Sequence, residues 1–424
     1  MKLGRKMVGI YSTCIILVLT LLVGMPFWAI AADTIKIGDL EPLSGPSERW
    51  GKLFSAGLQF AVDEQNAKGG LFGKKIEIIT EDSELKPDVA VRKAKKLIME
   101  DKINILASGF GSAISLACNK VASDYKTLYI NFGSMSDQAQ GGEFFSRYGF
   151  RVIQNAHSLH TASALLMVGK PYKRFYIMAQ DYVFSYDAAK VFKEQLKILV
   201  PNAQIVGEDY APIGTKDFAP YITKIIAAKA DFVFSPATPP DITNFIRQAR
   251  AMGLKAPFPF LTQIVEIAVE LKDDAAGVYY VDQYSLRTNT PENQELIKRY
   301  HERYKNDKDF WLWWPVGSIG RGLIGWKMAF AALEKIGSID PEKVIEGFEG
   351  FQWKSPVGLY TMRKCDHQTM LPVYGGIIEA GNNPWYNGSI RADVNFPYEG
   401  PKIQMFPADK VSIPATPAYN PRCK

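Results

Sequence analysis

Short apolar runs and longer amphipathic segments alternate along most of the chain. The short runs have the length and the β-branched content of buried strands, and the longer segments repeat apolar positions with helical spacing. Such alternation is typical of βαβ units built on a parallel sheet. A first series predicts strands and helices in turn at 76–80, 89–100, 103–108, 114–125 and 128–131.

A second series of the same kind follows Arg151, so the pattern predicts two α/β lobes in succession. The strand expected at 278–285 leads back to the first lobe, and helices at 292–305 and 314–336 complete that lobe. The chain is then expected to cross once more near 355–359. The second lobe is predicted to contain helices at 157–168, 185–199, 218–229 and 240–252 and strands at 175–179, 203–210 and 232–235.

The start of this pattern carries a motif. Residues 35–37 predict a strand, a Leu-Ser-Gly-Pro turn follows at 43–46, and apolar positions from Leu53 onward predict a helix that stops at the glycine pair 69–70. Trp50 stands between the turn and the helix, in a position that looks exposed. This segment resembles the opening of the branched-chain amino-acid-binding family of periplasmic solute receptors. The resemblance implies that Trp50 reaches toward a ligand cleft.

Later segments resemble the same family in its usual order, among them Lys-Asp-Phe at 216–218, Asp-Phe-Val at 231–233 and a Phe-Ile-Arg-Gln-Ala-Arg helix at 245–250. The resemblance implies an α/β fold of two Rossmann-like lobes joined by three crossover strands, the type I periplasmic binding protein fold. The ligand would be captured as the lobes close by a hinge motion. The implied divisions are 33–153 with 282–356 for the first lobe, 154–281 with 357–400 for the second, and a Pro-rich tail at 401–424.

The N-terminus has the pattern of a secretory signal peptide: basic residues, an apolar run at 8–28 and small residues at 29–32. We expect residues 1–32 to be cleaved and the protein to reach the periplasm. An uncleaved anchor is the alternative, because the apolar run is about long enough to span a bilayer. Cleavage lowers the formal net charge from +6 to +3. That mild charge, without basic runs interleaved with aromatics, indicates no nucleic acid partner.

Three cysteines follow the leader, and an oxidising compartment allows two of them to pair. Cys118 lies in a segment predicted to be a buried helix. Cys365 and Cys423 both lie in turn-rich polar sequence. We predict a Cys365–Cys423 disulfide that pins the tail, although sequence alone does not determine the connectivity.

The loop after the strand at 103–108 predicts an anion site. Residues 109–113 contain two glycines and lead into a helix, so backbone N–H groups and the Ser112 hydroxyl can point at a bound carboxylate. In the family that this chain resembles, a serine at the position of Ser112 holds the ligand carboxylate. The alternative is a plain serine N-cap, a common role for this residue type.

The loop after the next strand resembles the family's second contact segment, where a backbone carbonyl and a threonine meet the ligand. Gly133 can supply the backbone here. The threonine position is Met135, with Ser134 or Ser136 as possible substitutes.

The second lobe departs from the family pattern. Phe184 stands where amino-acid binders place a tyrosine, and Thr238 lies in the Pro-rich stretch that replaces another tyrosine. The acidic residue that usually clamps the ligand ammonium is replaced by Thr262 and Gln263. An ammonium group moved into a dry cleft without such a cage loses several kcal/mol of hydration, roughly, so this site should reject α-amino acids.

We therefore expect a ligand with a carboxylate or other polar head and an apolar, possibly aromatic, body. It would lie between Trp50, Phe110, Tyr182 and Phe184, although aromatic residues also dominate ordinary cores. Glu266 or Asp282 could restore an ammonium partner from a shifted position, which keeps amino-acid binding as the second interpretation. A ligand-binding protein that feeds a chemoreceptor is a further alternative.

Enzymatic machinery is not visible in the sequence. The four histidines are scattered, and neither a G-x-S-x-G elbow nor a GxxxxGK phosphate loop occurs. We expect no catalytic residue, no metal and no cofactor. The expected partners are a small-molecule ligand and an ABC permease in the inner membrane, with the protein itself a monomer.

Overall fold

A computed structural model describes residues 34–257, 267, 270–315, 317–379, 398–399 and 403–423. The expected signal peptide lies outside these residues, as do Thr262, Gln263 and Glu266. The chain from Ile35 onward forms one compact unit. Among the described helices, none has both the length and the hydrophobicity needed to cross a membrane.

The secondary structure alternates as the hydrophobic pattern predicts. The strands are β1 (Ile35–Glu41), β2 (Ile76–Asp82), β3 (Ile105–Ser108), β4 (Leu128–Asn131), β5 (Gly149–Arg151), β6 (Arg174–Gln180), β7 (Gln204–Ala211), β8 (Phe232–Phe234), β9 (Tyr279–Asp282), β10 (Gln352–Ser355), β11 (Gly358–Met362), β12 (Thr369–Met370), β13 (Val373–Glu379), β14 (Tyr398–Glu399) and β15 (Gln404–Phe406). The helices are α1 (Glu48–Ala67), α2 (Pro87–Met99), α3 (Ser112–Asp124), α4 (Ala156–Leu166), α5 (Val183–Leu199), α6 (Ala219–Ala227), α7 (Asp241–Ala251), α8 (Pro291–Tyr304), α9 (Gly317–Ile336), α10 (Pro341–Phe348) and α11 (Ala408–Val411).

The first sheet has five parallel strands in the order β2-β1-β3-β4-β5. Helices α1 and α9 cover one face and pack closely, because Gly57 has no side chain: a Cβ there would lie 2.5 Å from the Ile319 carbonyl oxygen. On the other face, α2 and α3 bury Leu97 and Cys118 against Leu106 of β3. Cys118 is a free, buried thiol. Apolar residues therefore face both sides of the strands, as is usual in parallel sheets.

The second sheet has three parallel strands in the order β7-β6-β8. Phe175 and Phe232 join one buried cluster with Phe192 of α5, while Val233 joins another with Phe245 of α7. Strand β13 pairs antiparallel with β9 and β15. Two α/β sheets with helices on their faces confirm the predicted fold class.

The segment expected to carry the last crossing between the lobes turns back on itself. Residues 355–359 form the turn of a β10–β11 hairpin, in which the Ser355 hydroxyl donates to the Gly358 carbonyl oxygen at 2.6 Å. Gly358 has φ +125°, a conformation that a glycine adopts without strain. Strand β12 still pairs with β11, and the Thr369 hydroxyl donates to Arg151 of the first sheet.

The C-terminal tail is held at both ends. Strand β15 pairs with β13, and Cys423 forms a disulfide with Cys365, with 5.0 Å between the Cα atoms. This is the pair predicted from the sequence. Between these points the Tyr419 hydroxyl donates to the Asp137 carbonyl oxygen at 3.0 Å. The tail is therefore part of the folded structure.

Candidate functional site

A cavity of about 670 Å³ lies where loops from the two sheets face each other. The loops follow the carboxyl ends of parallel strands, where ligands of open α/β sheets bind. We call the part formed after β1, β2, β3 and β4 the first wall, and the part formed after β6, β7 and β8 the second wall. The first wall includes Ser44, Pro46, Ser47, Glu84, Leu85, Phe110, Gly111, Ser112, Gly133, Ser134 and Met135. The second wall includes Gln180, Tyr182, Phe184, Ile213, Gly214, Lys216, Thr238, Pro239, Pro240, Asp241 and Asn244.

Helix α3 begins in the first wall without a side-chain cap. Its N-cap residue is Gly111, with φ +108°, which has no side chain to accept from the helix start. Ser112 is the first helical residue, and its Oγ accepts from the Ser136 N–H at 3.3 Å. The alternative that Ser112 is the N-cap is therefore wrong, because a positive φ at the cap favours glycine. The first turn of α3 faces the cavity with its N–H groups and the positive end of its dipole.

Glu41, which was not predicted from the sequence, holds the loop that leads into α3. Its carboxylate accepts the N–H groups of Gly109 and, at 2.8 Å, Phe110. Burial, together with the nearby Asp39 carboxyl, raises the pKa of Glu41 well above its usual value. Since Glu41 takes these two donors, only the N–H groups further along the loop and in α3 are available to a ligand. One of them, at Ala113, donates to the Tyr182 hydroxyl at 3.3 Å.

The loop after β4 places a buried hydroxyl in the cavity. Asn131 closes this loop by accepting from the Ser134 N–H at 2.9 Å and donating to the Ser134 carbonyl oxygen at 3.1 Å. Ser134 is 2% exposed, and its Oγ has no hydrogen-bond partner among the described residues. Met135 also lines the cavity, whereas the Ser136 hydroxyl donates to Asp187 of α5. Of the two serines considered as substitutes, Ser134 is the one in the wall.

A hydrogen-bonded group of side chains forms the polar part of the second wall. The Gln180 Oε1 accepts from both the N–H and the hydroxyl of Thr238 at 2.8 Å, and its Nε2 donates to Asp241 Oδ2 at 2.7 Å. Thr238 was predicted from the sequence, but Gln180 and Asp241 were missed. Gln180 is the last residue of β6, and Asp241 lies after β8. A position at or after the carboxyl end of a parallel strand could have identified them.

Tyr182 and Phe184 are in the second wall as predicted, and Phe110 faces them from the first. Trp50 is not part of the cavity lining. Helix α1 begins at Glu48 and not near Leu53, so Trp50 falls in its first turn and is buried in the core, 3% exposed. The expectation that it is exposed and reaches the cleft is therefore wrong.

Asp282, considered as a shifted ammonium partner, is buried on β9 and does not line the cavity. The Arg321 Nε lies 3.7 Å from its Oδ1, so this carboxylate already faces a buried cation. Its candidacy as the ammonium partner is wrong for that reason.

Comparison with known proteins agrees with this architecture. A model of the periplasmic binding protein family matches residues 34–382. The Leu/Ile/Val-binding protein homolog 4 of Brucella melitensis biotype 1 is 27% identical over 364 residues, which are 81% of this chain and 83% of that protein.

Two solved structures share the fold. The closed form of a leucine-, isoleucine-, valine-, threonine- and alanine-binding protein from Brucella ovis has a TM-score of 0.79 and 24% identity, covering 90% of this chain and 97% of that one. A solute binding protein of an ABC transporter from Rhodopseudomonas palustris BisB5, in complex with 3,4-dihydroxybenzoic acid, has a TM-score of 0.74 and 23% identity, covering 88% and 98%. The family model matches the chain from the first strand to residue 382, and the cavity lies between two α/β lobes. The chain therefore belongs to the periplasmic binding protein family, a class of solute-binding proteins.

Proposed function

We propose that this protein is the extracytoplasmic receptor of an ABC uptake transporter and captures a small carboxylate with an apolar or aromatic body. The observation that carries the proposal is the start of α3, where the N-cap is a glycine without a side-chain acceptor, beside the Ser134 hydroxyl, which is buried and has no partner among the described residues. Closure of the two walls would remove the ligand from water, which one wall alone could only half achieve.

The carboxylate would bind in the first wall. Helix N-termini attract anions through their free N–H groups and the helix dipole. The hydroxyl of Ser112 and that of Ser134 stand at this place, and Gly133 keeps the backbone close to it. A bound carboxylate would satisfy the Ser134 hydroxyl, whose burial without a partner is otherwise unfavourable.

The body of the ligand would lie against apolar side chains of both walls. Phe110 and Met135 in the first wall face Phe184 and the ring of Tyr182 in the second. Aromatic rings bury large areas and favour flat, apolar partners. The bound 3,4-dihydroxybenzoic acid of the R. palustris relative is a ligand of this chemical class.

Amino-acid binding is the second candidate. It is favoured by the 27% identity to a Leu/Ile/Val-binding protein homolog and by the Asp241 carboxylate in the cavity. Against it, Asp241 belongs to the second wall, opposite the proposed carboxylate site. Thr262 and Gln263, where the ammonium clamp is expected, remain part of the proposal as uncharged ligand contacts.

The remaining parts of the proposal follow from the sequence. Residues 1–32 would be a cleaved signal peptide, the mature protein would be a periplasmic monomer, and a permease in the inner membrane would receive the ligand. The first lobe would begin at residue 33 and the second at 154, with a return near 282. A role as the ligand sensor of a chemoreceptor would use the same closed form.

A thermal-shift screen of the mature protein tests the function, followed by calorimetry on each hit. The panel contains benzoate, 4-hydroxybenzoate, hexanoate, benzamide and leucine. A ligand at a hundredfold excess over its dissociation constant should add about 2.7 kcal/mol of stability. We expect the benzoates to stabilise the protein while benzamide and leucine do not. Stabilisation by leucine alone would replace this proposal with the amino-acid receptor.

A further inference from the structure

The Asp241 carboxylate in the second wall uses only one of its two oxygens. The side chain is 1% exposed and lines the cavity from the first residue of α7. Its Oδ2 accepts from Gln180 Nε2 at 2.7 Å and from the Gly214 N–H at 2.9 Å. In the described part of the chain, no group donates a hydrogen bond to its Oδ1.

The surrounding bonds determine which way this carboxylate faces. Gln180 can only donate to Asp241 with its NH₂ group, because its amide oxygen already accepts from the Thr238 N–H and hydroxyl at 2.8 Å. The Gly214 backbone donor is equally fixed. Two donors therefore hold Oδ2 in place and leave Oδ1 as an acceptor without a donor among the residues that the structure describes.

The Oδ1 atom faces the cavity and loses its contact with water when the walls close on a ligand, which is unfavourable for a carboxylate oxygen unless the ligand supplies a donor. We infer that Asp241 is a specificity-determining residue that accepts a hydrogen bond from a hydroxyl or amino group on the ligand, at the end away from its carboxylate. This inference rests on the proposed function, since it needs the carboxylate in the first wall.

The positions of the two polar ends select a class of ligand. Ser112 and Ser134 belong to the first wall, and Asp241 belongs to the second, with apolar side chains between them. An α-amino acid carries its ammonium and carboxylate on one carbon, so these two groups point to the same end of the molecule. A hydroxylated or aminated carboxylate with a rigid apolar spacer, such as a para-substituted benzoate, can.

Calorimetry with three ligands tests the inference: 4-hydroxybenzoate has a donor, 4-methoxybenzoate has only an acceptor at the same place, and benzoate has neither. For the unmodified protein we expect 4-hydroxybenzoate to bind about 10- to 100-fold more tightly than 4-methoxybenzoate, the usual effect of a hydrogen bond to a charged group.

Asp241→Asn sharpens the test, because its amide oxygen can keep the bonds from Gln180 and Gly214 while its NH₂ group takes the place of Oδ1. The preference should then disappear or reverse in favour of the methoxy ligand. Asp217→Asn is the matched control: this carboxylate is exposed, lies outside the cavity lining and should leave the ratio unchanged.

The outcomes separate the two proposals. Equal affinities for the hydroxy and methoxy ligands in the unmodified protein would overturn the role of Asp241, even if Asp241→Asn failed to fold. So would an Asp241→Asn protein that keeps the original preference. If none of the three benzoates binds the unmodified protein, the inference fails, and if hexanoate does not bind either, the proposed function fails with it.

Discussion

The two walls of the cavity are built in different ways. The first wall consists mainly of backbone: the start of α3, the loop at 109–111 and the loop closed by Asn131. The second wall consists of side chains from separate loops, joined through Gln180. Backbone N–H groups recognise any anion of suitable size, whereas a carboxylate locked in one orientation distinguishes donors from acceptors. General affinity would thus come from the first wall and ligand choice from the second.

Close approach of two loops is the most sensitive feature of the first wall. A Cβ at Gly133 would lie 2.5 Å from the carbonyl carbon of Gly109, so Gly133→Ala pushes backbone against backbone. We expect the free energy of unfolding to fall by about 1–3 kcal/mol. The affinity for benzoates should fall about tenfold or more, because the α3 site opens. Urea unfolding and calorimetry measure the two effects.

Gly169→Ala provides the control for Gly133→Ala. Gly169 has φ +75° and open space around the missing Cβ, so the change adds backbone strain outside the cavity lining. We expect a loss of about 1 kcal/mol in stability and unchanged affinity. If Gly133→Ala also kept its affinity, the first wall would not depend on this contact.

The buried acids behind the first wall predict a pH effect. Burial raises the pKa of Asp39 from 3.8 to about 7, an increase that the Ser55 hydroxyl bond partly offsets. Between about pH 4 and 7, the folded protein therefore holds the proton of the Asp39 carboxyl more tightly than the unfolded chain does. The contribution of Asp39 to stability is full below pH 4 and is lost as the pH rises to 7. Glu41 is the neighbouring acid and would add to the trend.

Asp39→Asn is neutral at every pH and should become more stable than the unmodified protein as the pH rises. The difference should grow by about 4 kcal/mol at most between pH 4 and 7. Urea unfolding at each pH measures it. The exposed Asp124→Asn should differ from the unmodified protein by less than about 0.5 kcal/mol throughout. A flat Asp39→Asn difference would show that this acid is already charged.

Two serines of the loop after β4 should respond with opposite signs. Ser134→Ala removes a buried hydroxyl without a partner, so the ligand-free protein should keep its stability or gain up to about 1 kcal/mol. Its affinity for benzoates should fall about five- to tenfold. Ser136→Ala removes the donor to Asp187 and should lose about 1 kcal/mol of stability without a change in affinity. The prediction fails if both variants lose stability alike.

The smallest effect is expected from Lys216, an exposed cation at the second wall. It would attract an anionic ligand through solvent, so Lys216→Gln should weaken binding about twofold in roughly 10 mM salt and not at all near 1 M. Lys197→Gln, exposed and away from the cavity lining, is the matched control. A loss that persists at high salt would mean that Lys216 contacts the ligand directly.

The helices and strands, the fold class and the first wall could be predicted because their signals are local. Gly109 to Ser112 are consecutive, and a glycine-rich turn between a strand and a helix specifies its own geometry. The second wall could not be predicted from the sequence in the same way. Gln180 lies 58 residues from Thr238 and 61 from Asp241, and no local pattern shows that these side chains share a hydrogen-bond network.

Trp50 and the hairpin turn at 355–358 show what a residue's position in the sequence does not predict. A large aromatic residue next to a turn has the same sequence signal whether it lines a cleft or fills a core, and the start of α1 at Glu48 decides the matter. Likewise, the sequence at 355–359 does not reveal the hairpin turn between Ser355 and Gly358, because that turn depends on the pairing of β10 with β11.

The sequence by itself determined the alternation of helices and strands, the family resemblance and the predicted signal peptide, because each depends on composition or spacing over short stretches. Only the tertiary structure decided that Glu41 takes the first two loop donors, that Trp50 is buried, that Cys365 meets Cys423, and that one oxygen of Asp241 has no donor among the described residues. Those outcomes depend on which distant groups meet in a buried space, where each donor can satisfy few acceptors and each misplaced polar atom is costly.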